Sequence, residues 1–151
     1  MRQITSEIII NTNGEGFTDI TFEIENWIKE EKVRTGLLLI FCKHTSCSLL
    51  INENADPNVL KDLGNYINAI VPQNKFQSID GSKKEKQYLH SEEGLDDMPA
   101  HIKTMLTSTN LSLSINESKL VLGTWQAVYL WEHRTDKMSR TLYLHLIGEV
   151  K

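Results

Sequence analysis

The chain has 151 residues, 16 of them basic and 20 acidic, which gives a formal net charge of −4. This length suits one domain, and 40% hydrophobic with 24% charged residues is an ordinary globular composition that excludes disorder. The one dense basic cluster, at 83–86, includes Glu85, and the basic stripe with interleaved aromatics typical of nucleic-acid binding is missing. We therefore predict a single domain over 1–151 that binds no nucleic acid.

The cysteines and the apolar runs indicate the cellular compartment. No signal peptide precedes the first apolar run, and the longest such run, Leu37–Cys42, is far shorter than the roughly 20 residues of a membrane span. Cys42 and Cys47 are then expected to be reduced thiols. These features predict a cytoplasmic protein without a membrane partner.

The first half of the chain predicts strands and helices in alternation. The β-branched run 4–10 ends in a turn at 11–14, and a helix capped by Thr18 follows. Leu37–Phe41 is a continuous apolar strand, expected to be buried on both faces. A strand at Ser48–Ile51 leads to a second helix, which Asp56-Pro57 begins and Pro72 ends.

The second half predicts one more helix and then only strands. Residues 73–87 are polar and form a long loop or hairpin, and Asp97 caps a short third helix that runs through Leu106. Strands are expected at 111–115, 119–122, 126–131 and 141–147. Because no helix separates these strands, the predicted fold class is α+β with mostly antiparallel strands.

The segment Asp96–His101 is the most informative local feature. Asp97 and His101 lie four residues apart on one helix face, where a carboxylate and an imidazole could share a metal ion or a proton. His90 could fold back across Gly94 to join them. The alternative is that Asp97 only caps the helix and His101 lies at the surface.

A second polar segment, His44-Thr-Ser-Cys-Ser48, follows a buried strand. Cys42 and Cys47 flank His44, so a Cys-His nucleophile is conceivable, although cysteine is more often a small buried hydrophobe. If 42–48 continued as a strand, Cys42 and His44 would share one face and Cys47 would point to the other.

Two further segments could line a site. Asn52-Glu-Asn-Ala-Asp56 stands before a helix start, where it could hold a metal that bridges a phosphate or could simply form a cap and turn. Gly123-Thr-Trp-Gln126 interrupts the last strands and could form a pocket wall or a β-bulge with Trp125 in the core.

Together these motifs resemble the YjbQ family, also called the UPF0047 family. The residues that carry the resemblance are His44-Thr-Ser46, Ile51-Asn-Glu-Asn-Ala-Asp-Pro57, Gly94-Leu-Asp-Asp-Met-Pro-Ala-His-Ile102 and Leu122-Gly-Thr-Trp-Gln126. They occur in the family's order and spacing, and the match runs from about Gly16 to Gly148. The chain is identified as a member on this basis.

The resemblance implies a fold, an assembly and an activity. The expected fold is a small α+β domain with a seven-stranded β-sandwich and about three helices, assembled as a trimer around a threefold axis. The expected activity is a weak or secondary thiamine-phosphate synthase activity. The family's polar positions fall on His44, Asn52, Glu53, Asn54, Asp56, His90, Asp96, Asp97, His101, Thr124, Gln126 and Glu132.

Two positions depart from the family pattern. Ser118 stands where the family usually has a turn glycine, and 133–140 replaces a turn rich in Gly, Pro and Arg. The second departure weakens any phosphate role of arginines in this region, although Arg140 remains a candidate.

Our leading hypothesis is an enzyme that joins an aminopyrimidine diphosphate to a thiazole phosphate. We expect Glu53, Asp97 and Glu132 to be catalytic. Substrate binding is assigned to Thr45, Asn52, Asn54, Asp56, Thr124, Gln126 and Arg140. The expected cofactor is a divalent metal: zinc would be held by His44, His90 and His101, whereas magnesium would prefer Glu53, Asp56 and Asp97.

Two alternatives remain open. One is a metal-dependent hydrolase with a histidine-bound metal, and the other is a non-catalytic trimer that binds a phosphorylated metabolite. In each case the expected partners are a small phosphorylated metabolite and further copies of the chain.

Overall fold

The computed structural model describes residues 1–150 and contains three helices and ten strands. In chain order they are β1 (Arg2–Asn11), β2 (Gly16–Asp19), α1 (Thr21–Glu30), β3 (Val33–Cys42), β4 (Cys47–Glu53), α2 (Pro57–Ile70), β5 (Lys75–Gln77), β6 (Glu85–Gln87), α3 (Asp97–Leu106), β7 (Asn110–Asn116), β8 (Lys119–Leu120), β9 (Gln126–Glu132) and β10 (Ser139–Val150).

The strands form two main sheets and one hairpin. The larger sheet has the order β1-β10-β3-β7-β8, the smaller sheet has the order β2-β9-β4, and β5 pairs with β6 alone. Every pair is antiparallel. The α+β class and the three helices are confirmed, whereas the two main sheets hold eight strands rather than seven.

One hydrophobic core joins the two main sheets to α1. Leu38 and Leu144 belong to the larger sheet, Leu49 and Leu130 to the smaller sheet, and Ile28 to α1, and all five are fully buried. At roughly 1.5–3 kcal/mol for each buried side chain, this shared core provides most of the energy that holds the sheets together.

Strand β3 is buried on one face only, contrary to the sequence prediction. Leu38, Ile40 and Cys42 point into the core, while Leu37 and Phe41, which alternate with them, are 52% and 43% exposed. The apolar run is continuous because both faces carry apolar side chains, but the chain covers only one of them. The outer face of the larger sheet therefore presents an apolar surface to its surroundings.

The helix starts are as predicted at α2 but not at α1 or α3. The Asp56 carboxylate accepts a hydrogen bond of 2.8 Å from the Asn58 amide and so caps α2. The segment that contains Thr18 instead pairs with β9 as β2, and α1 begins two residues after Asp19. Asp97 is the first residue of α3 rather than its cap, which frees its carboxylate for other partners.

No helix within residues 1–150 is long and apolar enough to cross a membrane.

Candidate functional site

Asp97 forms the centre of a polar site at the start of α3. Its side chain is almost fully buried, and each carboxylate oxygen faces a different partner. Arg134 Nη1 donates to Oδ1 at 2.6 Å, while His90 Nε2 lies 2.6 Å from Oδ2. A buried carboxylate needs such hydrogen-bonding partners because its desolvation is otherwise costly.

His101 lies one helical turn after Asp97, and its ring orientation is set by the backbone. Its Nδ1 is 2.8 Å from the carbonyl oxygen of Thr45, which can only accept, so Nδ1 carries the proton. In a neutral ring with this tautomer, Nε2 keeps its lone pair, and Nε2 lies 3.5 Å from Asp97 Oδ2. Metal-binding histidines commonly donate their second ring nitrogen to a carbonyl in this way.

His90 completes a group of three possible ligands. It comes from the loop before α3, and its ring centroid lies 5.4 Å from that of His101. The ligand atoms of His90, Asp97 and His101 all lie within 4.8 Å of one another. We call these three residues the His–Asp–His cluster.

The His–Asp–His cluster fits a divalent ion by composition and spacing. Zinc lies about 2.0–2.2 Å from imidazole nitrogens and carboxylate oxygens, so ligands of one tetrahedral ion are roughly 3.3 Å apart. The observed spread requires only small side-chain movements to reach that value. Three protein ligands would leave one position for water or substrate, as in catalytic zinc sites.

Arg134 connects Asp96 to the cluster, because it donates hydrogen bonds to both Asp96 and Asp97. Arg134 Nε donates to Asp96 Oδ2 at 3.0 Å, and the Thr135 amide donates to the same oxygen at 2.9 Å. Partial burial would raise the pKa of Asp96, but the bonds from Thr135 and Arg134 outweigh it and hold this pKa below its ordinary value. Gly94 permits the Asp96 side chain to lie close to the backbone, because a Cβ at Gly94 would be only 2.9 Å from Asp96 Oδ1. The φ of Gly94, +116°, also favours glycine.

A depression of about 550 Å³ adjoins the cluster. His101 forms part of its wall, and hydroxyl-bearing side chains dominate the rest. The lining residues are His44, Thr45, His101, Thr104, Met105, Thr107 and Thr109. A pocket of this size and polarity could hold a small polar molecule beside an ion.

His44 lies outside the cluster, although it lines the same depression. Its Nε2 accepts a hydrogen bond of 2.7 Å from the Thr141 amide, so this nitrogen has no lone pair left for a metal. Burial, followed by the positive charge of Arg140, lowers the pKa of His44 and favours its neutral form. Asp97, rather than His44, is therefore the third possible ligand that the fold brings to His90 and His101.

Glu132 and Arg140, predicted as catalytic and substrate-binding, form a buried ion pair. Arg140 Nε donates to Glu132 Oε2 at 2.7 Å, and Nη2 bonds to Oε1. Thr12 and Ser46 complete the network through Glu132 Oε2 and Arg140 Nη2. Burial alone would raise the pKa of Glu132, but the Arg140 guanidinium lowers it below its ordinary value. Both side chains are buried and hydrogen-bonded to protein groups, whereas the sequence predicted that they contact a substrate.

The remaining predicted substrate residues gather at the other end of the smaller sheet. Glu53 pairs with Gln126 across β4 and β9, and the Asn54 amide donates to the Trp125 carbonyl at 2.9 Å. The Asn52 side chain accepts from the Glu53 amide at 2.7 Å. Asp56 caps α2, and Thr124 precedes Trp125, which is 64% exposed and is not a core residue.

These residues are distant from the cluster within one chain. Thr45, which contacts His101, comes just before β4, whereas Glu53 ends it. A seven-residue strand spans roughly 20 Å at about 3.3 Å per residue. Within residues 1–150, Glu53 and Asp56 belong to no group of three possible metal ligands, so the expected magnesium set is not assembled.

Sequence reasoning missed two polar features. Arg134 was not singled out, and its only signal was its place two residues after Glu132. Lys103, which is 2% exposed, donates from Nζ to Glu15 Oε1 and to Asn68 Oδ1, both at 2.5 Å. Its position on α3 resembled an ordinary surface lysine, and only its contacts with Asn68 of α2 and with Glu15, just before β2, reveal its burial.

The fold and this polar site define a small α+β protein with a candidate metal centre at a helix start. Comparisons with known proteins identify its family. A family model described as UPF0047 protein YjbQ-like matches residues 6–149. A UPF0047 protein of Synechocystis is 43% identical over 149 residues, covering 99% of this chain and 95% of that protein. The UPF0047 protein YjbQ of Salmonella typhimurium is 38% identical over 143 residues, covering 94% of this chain and 96% of its own length.

Solved structures agree with the fold. An uncharacterized YjbQ/UPF0047 family protein from Clostridium acetobutylicum has a TM-score of 0.75 at 31% identity, with 95% of this chain and 99% of that chain covered. A hypothetical protein from Aeropyrum pernix reaches 0.80 at 22% identity, covering 97% and 99%, and supports the fold alone. The chain belongs to the YjbQ-like UPF0047 family.

Proposed function

We propose that this protein is a metal-dependent enzyme of the thiamine-phosphate synthase type, with weak activity, and that the His–Asp–His cluster holds its metal. The observation that carries the proposal is the approach of His90, Asp97 and His101 ligand atoms to within 4.8 Å of one another. The reaction forms a bond from a thiazole nitrogen to a pyrimidine methylene carbon, and the bond from that carbon to diphosphate breaks. A bound cation would neutralise the departing diphosphate.

The ligand types favour zinc over magnesium. Two imidazoles and one carboxylate are typical zinc ligands, whereas magnesium prefers oxygen ligands alone. His101 supports this assignment because its Nδ1 proton is held by the Thr45 carbonyl. Arg134, bound to Asp97 Oδ1, would keep Oδ2 directed at the ion.

The depression beside His101 supports a phosphorylated substrate. Four threonines contribute to its wall, and hydroxyl groups can donate to phosphate oxygens. The Thr104 hydroxyl already donates to the Ala100 carbonyl, so we propose that Thr45 positions a phosphate or diphosphate of the substrate there, next to the ion.

A metal-dependent hydrolase is the second candidate. The observation that favours it is the same ligand set, because three protein ligands with an open position are typical of sites that lower the pKa of a zinc-bound water. In that case a small phosphorylated metabolite would lose phosphate to water.

One experiment separates the candidates. Purified protein is incubated with aminopyrimidine diphosphate and thiazole phosphate, with zinc, magnesium or chelator, and thiamine phosphate, diphosphate and free phosphate are measured. Thiamine phosphate and diphosphate in equal amounts support the synthase, whereas free phosphate alone supports the hydrolase. Binding of thiazole phosphate without any product would instead indicate a metabolite-binding protein.

His101→Ala serves as the negative control for this assay, and Phe22→Ala, a change at an exposed residue of α1, serves as the matched positive control. Activity that survives His101→Ala would mean that the measured reaction does not use the cluster.

We also infer that the protein acts as a homotrimer. Apolar side chains on the outer face of the larger sheet support this inference: Ile9, Leu37, Leu39, Phe41 and Ile147 are all exposed there. His145 lies on the same face, and its buried Nε2 has no hydrogen-bond partner within residues 1–150. A threefold assembly would cover these groups and could bring Gln126 and Thr124 of one subunit to the cluster of the next.

Subunit mixing tests the shared site. His101→Ala and Gln126→Ala chains are each expected to be inactive, and mixing them after mild dissociation should restore part of the activity. If the mixture stays inactive while wild-type subunits survive the same treatment, the site lies within one chain.

A cytoplasmic location is proposed for the same protein, because Cys42 and Cys47 are both free thiols in this structure. Cell fractionation with an antibody to the protein tests it.

A further inference from the structure

Two buried thiols lie close together beside the candidate site. Cys42 ends β3 and Cys47 begins β4, and their sulfur atoms are 3.2 Å apart. The intervening segment, 43–46, is not part of either strand, so the two side chains turn toward each other rather than to opposite faces. A disulfide needs about 2.05 Å between sulfurs, so each sulfur must move by only about half an ångström.

The two thiols have different acidities. The hydrogen bond between the two sulfurs lowers the pKa of Cys42 and outweighs burial, which raises it, with smaller help from the His44 amide and the charge of Arg140. The same bond, together with burial, raises the pKa of Cys47. Cys42 is thus the sulfur that reaches the thiolate form, which is the reactive form.

Cys42, although only 2% exposed, is also the cysteine that lies next to a surface depression. It contributes to the wall of a depression of about 410 Å³, which is otherwise lined by Phe41, Lys43, His44, Thr45 and Thr109. Cys47 does not line this depression and is fully buried.

We propose that Cys42 and Cys47 form a reversible redox pair that a hydroperoxide oxidises to a disulfide. The Cys42 thiolate attacks one peroxide oxygen, the O–O bond breaks, and with a proton one molecule of water or alcohol leaves. The resulting sulfenic acid reacts with the Cys47 thiol, forming the S–S bond and releasing water. The two sulfurs together lose two electrons, the peroxide gains them, and a dithiol reverses the step.

The segment between the cysteines connects this pair to the His–Asp–His cluster. The Thr45 carbonyl accepts a hydrogen bond from His101 Nδ1, and His44 Nε2 accepts one from the Thr141 amide. Drawing the two ends of 43–46 together shifts this carbonyl and frees the His101 ring. Loss of such an orienting bond typically lowers metal affinity about 10–100-fold. This second effect rests on the proposed metal site, whereas disulfide formation does not.

The test uses the full chain, fully reduced, freed of reductant, and treated with hydrogen peroxide. After denaturation in iodoacetamide, the reduced protein should carry two alkyl groups and the oxidised protein none, with a mass lower by two hydrogens. Dithiothreitol should restore both alkylation sites. Cys42→Ser and Cys47→Ser are the controls, and neither should show the mass loss. Peroxide-treated wild-type protein that still takes two alkyl groups would overturn the proposal.

Zinc competition with a chromophoric chelator then tests the coupling in the same samples. Affinity should fall about 10–100-fold on oxidation of the wild-type protein and should not change in the Cys42→Ser, Cys47→Ser double variant. Equal affinity in the oxidised and reduced forms would refute the coupling. If the reduced protein binds no zinc, the metal-site proposal fails, and the mass measurement still decides whether the disulfide forms.

Discussion

Asp97 contacts cations or possible cations on both of its oxygens. Arg134 binds Oδ1, and the two histidines approach Oδ2 within 2.6 and 3.5 Å. This arrangement fixes the carboxylate before any ion binds, so little side-chain entropy remains to be lost on binding. A preformed ligand of this kind is worth more to affinity than a flexible surface carboxylate.

The ligand set can be tested residue by residue with zinc. We expect His90→Ala and His101→Ala each to lower zinc affinity at least about 100-fold, because each removes one of three ligands. His44→Gln should bind zinc as wild type does, since its amide oxygen can still accept from the Thr141 amide. Zinc content after dialysis and chelator competition provide the measurement. The assignment of Asp97 in place of His44 is wrong if His44→Gln loses the metal.

His133 is expected to make the free energy of unfolding depend on pH. Burial, with the charge of Lys103, lowers the pKa of His133 to about 3. The unfolded chain takes up a proton below about pH 6.5 while the folded chain does not, so this residue lowers the free energy of unfolding as pH falls from 6.5 toward 3. At pH 5 the expected loss is about 2 kcal/mol, at 1.36 kcal/mol per pH unit.

Urea denaturation at pH 7.5 and pH 5 measures this loss in the wild type and in His133→Gln. In the variant, the glutamine amide can keep the hydrogen bond to Ser48. The variant should lose less stability on acidification than the wild type. Equal losses in the two proteins would mean that His133 is protonated in the fold.

At the scale of elements, three loops converge on the start of α3. The loop before it carries His90, the β3–β4 connection carries Thr45, and the β9–β10 connection carries Arg134. The helix is the rigid part of the site because its residues are fixed by packing and by backbone hydrogen bonds. The ligands from α3 should therefore hold their positions more firmly than His90.

Helix α2 offers a test of how one element is held. Asp56→Ala removes the side chain that caps this helix at its start, and the expected loss is about 1 kcal/mol in the free energy of unfolding. Asp56→Ser should recover most of it, because a hydroxyl also accepts from the Asn58 amide. Equilibrium urea unfolding provides the measurement. Unchanged zinc binding in Asp56→Ala would agree with a structural role, whereas loss of zinc would return Asp56 to the metal site.

For the whole molecule, the decisive feature is the uncovered face of the larger sheet. Leu39 lies near its centre, between His145 on β10 and Ser112 on β7. A row of exposed apolar side chains across neighbouring strands is unusual for a monomer and typical of an interface. The proposed trimer would bury this row around the threefold axis.

The assembly is tested by mass in solution. We expect wild-type protein to have about three times the mass of one 17.3 kDa chain, and Leu39→Lys to shift toward the single chain because a charge would be buried. Phe22→Lys, on the exposed side of α1, is the matched control and should remain assembled. Light scattering after size-exclusion chromatography gives both masses. A wild-type protein of single-chain mass would refute the trimer.

The sequence by itself determined much of the local structure and the family. Asp56-Pro57 predicted the start of α2 correctly, since a cap and a following proline act through their immediate neighbours. The helix that carries Asp97 and His101 on one face was also predictable, because spacing along a helix fixes that geometry. The motifs around His44, Asp97 and Trp125 correctly indicated the YjbQ-like family.

Only the tertiary structure decided which polar residues meet. His44, Glu132 and Arg140 carry the same chemistry as the residues of the proposed site, but distant segments engage them: the Thr141 amide binds His44, Thr12 binds Glu132 and Ser46 binds Arg140. In the opposite direction, Arg134 joins Asp97 across 37 positions of the chain. Pairings of this kind depend on how sheets and loops pack, and no local pattern of residues encodes them.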